Sequence, residues 1–259
     1  MLSANDIKTI RSLREKKFRD SFGLFVVEGE KMVREALSSG LTVERVIRRE
    51  EVGDKTMERL SGLSTPPPVI AVVRQPADSA PGKPSGLCLA LDSIRDPGNL
   101  GTILRIADWF GVDAVYASPD TVEVFNPKVI QASMGTIFRK RPVYCDLPAL
   151  CESFASASLG VFGTFLQGDD IYSCELPSEA LIVMGNESDG VSAEVAAKVT
   201  RRLTIPSFSK GPHAESLNVA VATAVTVLLH SQNGRELQAC SYRDKAGLRR
   251  IIRAGTQRA

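Results

Sequence analysis

The sequence predicts an α/β protein in which a mostly parallel sheet has helices on both faces and follows a smaller α/β unit. Two observations predict this architecture. After residue 86, short apolar stretches alternate with helical patterns, which is typical of a parallel sheet. Before it, residues 76–86 are rich in Pro, Gly and Ser and are typical of a linker. We therefore expect a small α/β domain over 1–75 and a second domain over 87–259.

Periodicity predicts alternating helices and strands in the first unit. In chain order they are a helix over Ser3–Lys17, a strand over Phe22–Val27, a helix over Glu30–Ser38, a strand over Val43–Arg48, a helix over Asp54–Leu60 and a strand over Pro68–Val73. Six basic residues lie on or just after the first helix: Lys8, Arg11, Arg14, Lys16, Lys17 and Arg19. With Phe18 and Phe22 beside them, they form either a surface that grips phosphates and stacks bases or a solvated helix over two core rings.

The second unit alternates throughout. Its predicted elements are a strand 87–91, a helix 100–110, a strand 114–117, a helical segment 127–138, a strand 142–144, a helix 149–154, strands 160–166 and 180–185, a helix 193–199, a strand 203–205 and a helix 216–229.

Composition excludes several classes of protein. Hydrophobic residues make up 43% of the chain and charged residues 24%, as in ordinary globular proteins. The longest apolar stretch, Leu217–Leu229, is too short to span a membrane. No leader pattern begins the chain, and the five cysteines form no CxxC pair, so we expect a cytoplasmic protein. With two histidines, a metal site is not expected.

The small net charge of +2 is unevenly distributed. Residues 1–20 carry six basic and three acidic side chains, and residues 235–259 carry seven and two. The 19 basic and 25 acidic residues that remain give the middle of the chain a charge of −6. Basic ends favour a polyanion partner, although basic termini are also often merely solvated.

The turn after the apolar strand Leu87–Leu91 is the most informative segment. In an open α/β sheet, ligands bind at such strand-to-helix turns. We predict that Asn99 caps the following helix and that Gly111 ends it. Arg105 and Trp109 fall opposite the apolar face of that helix. They form either a binding surface or an ordinary solvated pair.

Two more polar turns are predicted at the same edge of the sheet. Residues 184–190 follow the strand that begins at Ala180, and residues 205–218 precede the last helix, which Ser216 is predicted to cap. Asn218 is a polar residue in an otherwise apolar element and should have a specific partner. The GxGxxG fingerprint of dinucleotide-binding domains is absent, which disfavours a Rossmann oxidoreductase.

The last helix is apolar on every side and therefore needs cover on every side. The sheet covers one face. A second subunit is the natural cover for the other face, so we expect a homodimer. The alternative cover is the segment 242–255.

Three strings together resemble the SpoU (TrmH-type) family of SPOUT RNA methyltransferases: DPGNLGTILRIADWFG at 96–111, IVMGNESDG at 182–190 and IPSFSKGPHAESLNVAVATAV at 205–225. The segment FVVEGEK at 25–31 resembles the small RNA-recognition domain that often precedes it. The resemblance implies methyl transfer from S-adenosylmethionine to a ribose 2′-hydroxyl, a C-terminal trefoil knot and a dimer. It favours rRNA over tRNA as the substrate.

The resemblance also assigns site residues in this chain. The implied catalytic residues are Asn99, Arg105, Glu187, Ser216 and Asn218. The implied cofactor-binding residues are Thr164, Gly185, Asn186, Ile205, Ser216, Leu217 and Asn218. The loop from Ile205 to Ser216 is longer than the family pattern.

The chemistry needs no metal, because a sulfonium methyl group is already activated. A guanidinium keeps its proton in proteins, so we expect Arg105 to bind a phosphate and to stabilise the oxyanion, while the proton leaves through Ser216 or a water. Glu187 either orients Arg105 or Asn99 or caps the next helix. His213 is either a proton shuttle or incidental. An RNA-binding module without activity is the alternative function.

Overall fold

The computed structural model describes residues 2–77, 79–212 and 214–234, the last four by their backbone alone. The basic segment 235–259, the alternative cover 242–255 and His213 lie outside the described residues. The described chain forms two sheets, one of three antiparallel strands and one of six parallel strands.

The three-stranded sheet forms the N-terminal unit, with strand order β1-β3-β2. Its elements are α1 (Ala4–Ser12), α2 (Lys16–Phe22), β1 (Leu24–Glu28), α3 (Glu30–Ser38), β2 (Val43–Arg48), α4 (Arg49–Val52), α5 (Asp54–Leu60) and β3 (Val69–Arg74). The central strand β3 is buried over Val69–Val73, because α1 and α5 cover one face of the sheet, and α3 and the second unit cover the other.

The first helix was predicted to be continuous over 3–17, and that prediction is wrong. The chain breaks after Ser12 and starts a second helix at Lys16. Arg19 makes the break possible, because its Nη1 donates to the carbonyls of Leu13 and Arg14 at 2.8 Å each. These two carbonyls have no helical partner at the break, and the Arg19 guanidinium satisfies them instead.

The six-stranded sheet has the order β6-β5-β4-β8-β7-β9. Its elements are β4 (Leu87–Leu91), α6 (Pro97–Trp109), β5 (Ala114–Ala117), α7 (Pro127–Ser133), β6 (Pro142–Tyr144), α8 (Leu147–Ser156), β7 (Gly160–Asp170), β8 (Ala180–Met184), α9 (Ala193–Ala196), β9 (Arg201–Thr204) and α10 (Val219–Gly234), with 3-10 turns at Thr136–Phe138 and Ile171–Ser173. The predicted parallel α/β class is confirmed.

Several element boundaries differ from those that the periodicity predicts. The segment predicted as one helix over 127–138 is divided at Met134 and Gly135, both of which have positive φ angles (52° and 98°). Strand β7 continues to Asp170, since β9 pairs with it beyond a register shift between Thr164 and Asp169. Such pairing depends on a partner strand and leaves no local pattern.

Alternate residues of the central strands face different layers. Leu87, Leu89 and Leu91 of β4 pack toward α6, α7 and α10, while Cys88 and Ala90 pack toward α8 and α9. Both faces of the sheet are thus covered, as a buried parallel sheet requires. No helix in the described ranges is long and apolar enough to cross a bilayer.

Candidate functional site

The three polar turns predicted from the sequence meet at the carboxyl edge of the parallel sheet. Nδ2 of Asn218, just before α10, donates to Oδ1 of Asn99 on α6 at 2.9 Å. Nδ2 of Asn99 in turn donates to Oε1 of Glu187, in the turn after β8. One relay of hydrogen bonds therefore joins the three turns, although 119 residues separate Asn99 from Asn218 along the chain.

The backbone sets the direction of this relay. Oδ1 of Asn218 accepts from the N–H groups of Ala220 at 2.9 Å and Val221 at 3.3 Å, in the manner of a helix cap. The amide of Asn218 therefore turns its NH₂ toward Asn99. Oδ1 of Asn99 is then the acceptor and its Nδ2 faces the carboxylate of Glu187. Each amide has one orientation that satisfies all of its partners.

Both predicted caps are wrong, because a nearby residue of the chain caps each helix instead. Helix α6 begins at Pro97, with Asp96 as its cap accepting from the N–H of Asn99 at 2.7 Å. The Asn99 side chain is thereby free for the relay. Helix α10 begins at Val219, and Asn218 rather than Ser216 caps it. Ser216 is exposed, and its hydroxyl makes no hydrogen bond to any described residue.

Arg105 lies outside the relay. Six residues along an α-helix correspond to about 9 Å of rise and about 120° of rotation, so Arg105 projects from a different side of α6 from Asn99. It is exposed, as is Trp109 one turn further, which keeps 83% of its surface in solvent. The predicted exposed pair is confirmed, and within the described ranges the guanidinium has no partner.

The turn after β8 is held by hydrogen bonds between the Asn186 side chain and the backbone. Oδ1 of Asn186 accepts from the N–H of Ser188 at 2.7 Å, and its Nδ2 donates to the carbonyl of Ser93 at 2.7 Å. The Asn186 side chain is 8% exposed and is used inside the protein. A Cβ on Gly185 would lie 2.3 Å from the carbonyl carbon of Gly190, so the close approach at Gly185 is made by the chain itself.

Glu187 therefore stands on a rigid turn with its carboxylate exposed at the edge. It orients Asn99 and does not cap the next helix. The start of that helix is held instead by Asp92, which is buried and accepts from the N–H of Ser192 at 2.7 Å.

Of the predicted cofactor residues, Thr164 lies within β7, Gly185 and Ile205 directly follow β8 and β9, and Leu217 precedes α10. Thr164 of β7 donates from Oγ1 to the carbonyl of Val183 at 3.2 Å, across to β8. Ile205 follows β9 directly, and Leu217 is 51% exposed. The main-chain groups of Ile205 and Leu217 make no hydrogen bond among the residues described. Unpaired backbone groups beside apolar side chains suit a nucleoside ligand.

Sequence reasoning missed the supports beneath the first turn. Ser93 has a positive φ of 57°, and its N–H donates to Oγ of Ser118 at 2.8 Å. Hydrogen bonds from the hydroxyls of Ser118 and Ser93 lower the pKa of Asp120 below its usual value. The sequence signal for these supports was the polar pair Asp92 and Ser93, which directly follows β4. The partners of Ser93 are Ser118 and Asp120, which follow β5.

The predicted basic surface on the N-terminal unit is only partly present. Arg19 is 2% exposed and forms an internal ion pair. Phe18 and Phe22 stack with ring centroids 6.3 Å apart, and Phe22 is 44% exposed, so these rings are not a closed core. Lys17 lies 4.7 Å over the Phe18 ring. Among described residues, no group of His, Cys, Asp and Glu is arranged to hold a metal.

Profiles of known protein families match both units of the chain. The profile of the SpoU rRNA Methylase family matches residues 86–228. The profile of the MRM3-like substrate binding domain matches residues 4–75. The 23S rRNA (guanosine(2553)-2′-O)-methyltransferase RlmP of Bacillus subtilis is 32% identical over 238 residues, which cover 85% of this chain and 94% of that protein.

Two solved structures extend the similarity to three dimensions. A putative RNA methyltransferase of the TrmH family from Porphyromonas gingivalis is 40% identical, with a TM-score of 0.81 over 90% of this chain and 100% of the other. An AdoMet-bound rRNA methyltransferase from Sinorhizobium meliloti is 26% identical, with a TM-score of 0.78 over 90% of this chain and 97% of the other.

Proposed function

The chain belongs to the SpoU rRNA methylase family, and from that premise we propose that it methylates a ribose 2′-hydroxyl of rRNA with S-adenosylmethionine as the donor. The relative RlmP is named for this reaction on 23S rRNA, and the similar Sinorhizobium enzyme binds AdoMet. The observation that carries the proposal is the relay Asn218–Asn99–Glu187, since it brings all three sequence segments to one edge of the sheet.

The cofactor supplies an activated methyl group on a sulfonium centre. We assign its binding to the strand ends, with Thr164, Gly185, Ile205 and Leu217 forming the walls. Asn186 and Gly185 contribute by keeping the turn after β8 closed, since the Asn186 amide is already fully used. Ser216 and Asn218 stand at the mouth, between these walls and α6.

The chain's own residues must position the ribose and stabilise charge on its oxygen. Arg105 is suited to a bidentate grip on a phosphate and to stabilising the oxyanion, because it keeps its proton and has free donors. The hydroxyl proton passes through Ser216, or a water beside it, to the bulk solvent. Glu187 acts through Asn99, holding that amide where it contacts the ribose. Alignment and preorganised donors each supply several kcal/mol in such sites, roughly 3 to 10.

We also propose that the protein works as a homodimer with a knotted C-terminal half. Val221 and Leu228 lie two turns apart on α10, Leu217 lies two residues before that helix, and each of the three is at least 39% exposed. A second copy would cover this apolar stripe. The knot is supported by the path of the chain, which reaches the sheet edge at β9 and then returns to pack α10 against α6. We place the enzyme in the cytoplasm.

Labelled methyl transfer to rRNA tests the proposal. Purified protein is incubated with labelled S-adenosylmethionine and rRNA from cells that lack the gene, and the methylated ribose is mapped by alkaline-resistance sequencing. We expect label at one ribose, which is unmethylated in the deletion strain. Cofactor binding without any transfer to rRNA would reject the proposal. Transfer to tRNA alone would select the alternative substrate, and RNA binding without transfer would select the non-catalytic module.

A further inference from the structure

A buried ion pair joins the N-terminal unit to the parallel sheet unit. Arg19 of α2 donates from Nε to Oε1 of Glu123 at 3.0 Å and from Nη2 to Oε2 at 2.5 Å. Arg19 is 2% exposed and Glu123 is 17% exposed. The contact is bidentate, which fixes the angle of the two planar groups as well as their distance.

Glu123 sits directly beneath the first turn of the site. Its neighbour Val122 donates from its N–H to the carbonyl of Ile94 at 2.8 Å, and Ile94 precedes the cap of α6 by two residues. The ion pair therefore attaches the N-terminal unit close to the start of α6, the helix that carries Asn99 and Arg105.

A second ionic contact grips the other end of the same helix. Arg139, after the 3-10 turn, donates from Nη1 to Glu35 of α3 at 2.6 Å and from Nη2 to Asp108 of α6 at 3.1 Å. Asp108 lies in the last turn of α6, three residues beyond Arg105. The guanidinium thus bridges a carboxylate of the N-terminal unit and a carboxylate of the helix.

Apolar packing closes the space between these two contacts. Phe25 of β1 stacks on Phe125 with ring centroids 4.5 Å apart. Phe25, Val27 and Ala71 of the three-stranded sheet belong to the same buried cluster as Leu100 and Val129 of α6 and α7. The linker 76–86 is not what holds the units together, because their surfaces share one core.

We propose that the N-terminal unit is rigidly attached to α6 and so sets the distance from bound RNA to the site, a role that we call the ruler. Its positioning residues, which select the nucleotide to be methylated, are Arg19, Glu123, Arg139 and Glu35. This inference rests on the proposed function. RNA bound by the N-terminal unit is presented at a set distance and angle from α6, because both ends of that helix are attached to the unit. A rigid connection also avoids the loss of effective concentration that a flexible linker brings.

Charge reversal at the bridge tests the ruler. Arg139→Glu places a third carboxylate between Glu35 and Asp108, and the double variant Arg139→Glu/Glu35→Arg restores one opposite pair. The control is Arg74→Glu, which makes the same charge change in a pair of similar exposure, Arg74–Glu44, that lies wholly inside the N-terminal unit. Each full-length protein is assayed on rRNA from the deletion strain, with methylated riboses mapped across all of it.

We expect Arg139→Glu to raise the KM for rRNA roughly tenfold while kcat stays within about twofold. The share of methyl groups at the principal nucleotide should fall about threefold as other riboses are methylated. Cofactor affinity should equal that of wild type, and the charge-swapped double variant should recover most of the selectivity.

Wild-type KM and wild-type selectivity in Arg139→Glu would overturn the ruler, as would an equal loss in Arg74→Glu. If Arg139→Glu fails to fold, Arg139→Ala provides the same readouts, because it removes the bridge without adding a third carboxylate. Should wild type transfer no methyl group to rRNA, the fault lies with the proposed function and not with the ruler.

Discussion

Asn99 shows how one hydrogen bond decides the role of a side chain. Two Asx residues, Asp96 and Asn99, stand at the start of α6, and either type of side chain can cap a helix. Asp96 takes the cap, so the amide of Asn99 is free to link Asn218 and Glu187. At the other end of the relay, Asn218 caps α10 and serves the site at once.

Arg105→Ala is expected to lower kcat about 10²- to 10³-fold, the usual cost of removing a donor that stabilises an oxyanion. Cofactor affinity, measured by calorimetry, should stay within about twofold, because Arg105 lies away from the strand ends. Arg105→Lys should recover little, since an ammonium lacks the planar fork. A wild-type rate in Arg105→Ala would remove this residue from the mechanism.

Asn218→Asp probes the direction of the relay. A carboxylate still caps α10, so the melting temperature should stay close to that of wild type. It has no hydrogen to donate to Asn99, and the Asn99 amide loses the contact that orients it toward Glu187. We expect kcat to fall at least about tenfold, measured with saturating rRNA. Unchanged kcat would mean that the relay is only structural.

At the level of elements, close contacts between neighbouring segments of the chain require glycine next to the site. Gly185 is adjacent to the bridge between Asn186 and Gly190, where any Cβ would overlap the backbone. Gly101 of α6 is similar, since a Cβ there would lie 2.5 Å from Cβ of Ala132 on α7. These glycines allow close packing next to the site rather than approach of a ligand.

Gly185→Ala should therefore displace the turn that carries Glu187. We expect a loss of roughly 1 to 3 kcal/mol in unfolding free energy, typical of an overpacked site, together with weaker cofactor binding. Chemical denaturation and calorimetry measure the two effects. Gly82→Ala is the matched control, because nothing lies within 4 Å of its Cβ position. If both variants were equally stable, the clash would be relieved without cost.

Helix α10 contains a buried histidine that should make stability depend on pH. Nδ1 of His230 lies 3.0 Å from the carbonyl of Thr226, and its ring packs edge-on against Phe162. Burial lowers the pKa of His230 below its ordinary value of about 6.5. The unfolded chain then binds more protons, so unfolding free energy should fall as pH drops below about 6.5.

His230→Leu should reduce that dependence. Urea unfolding at pH 7 and pH 5 is expected to give a smaller difference for the variant than for wild type, because the unfolded variant has no imidazole to protonate at this position. At pH 7 the variant loses the hydrogen bond to Thr226, which destabilises it. It also removes a buried imidazole Nε2 that has no partner among the described residues, which offsets part of that loss. Equal pH dependence in both proteins would show that other groups dominate.

At the scale of the whole molecule, the exposed apolar stripe on α10 predicts the oligomeric state. Val221→Lys and Leu228→Lys place a charge on that stripe, and we expect each variant to shift from dimer to monomer in light-scattering chromatography. Gln131→Lys, on an exposed position of α7, is the control. A wild-type protein that is monomeric at micromolar concentration would contradict the homodimer.

Local pattern by itself determined the parallel α/β class and many elements: strands at Val43–Arg48, Leu87–Leu91 and Ala114–Ala117 and helices at Glu30–Ser38 and Asp54–Leu60 have the predicted bounds. Periodicity is a property of neighbouring residues, so a single chain displays it. The site residues were inferred from a family resemblance, and no position or spacing alone would have assigned them.

Tertiary structure alone decided the roles that depend on a distant partner. Arg19 was predicted as a surface cation, but it pairs with Glu123, 104 residues away, and becomes part of the interior. Likewise, the Asn99 amide was predicted to cap a helix, but it links Glu187 and Asn218, which only the folded sheet brings close. The periodicity of a chain records which face is buried, whereas the partner of each polar group is known only when remote segments meet.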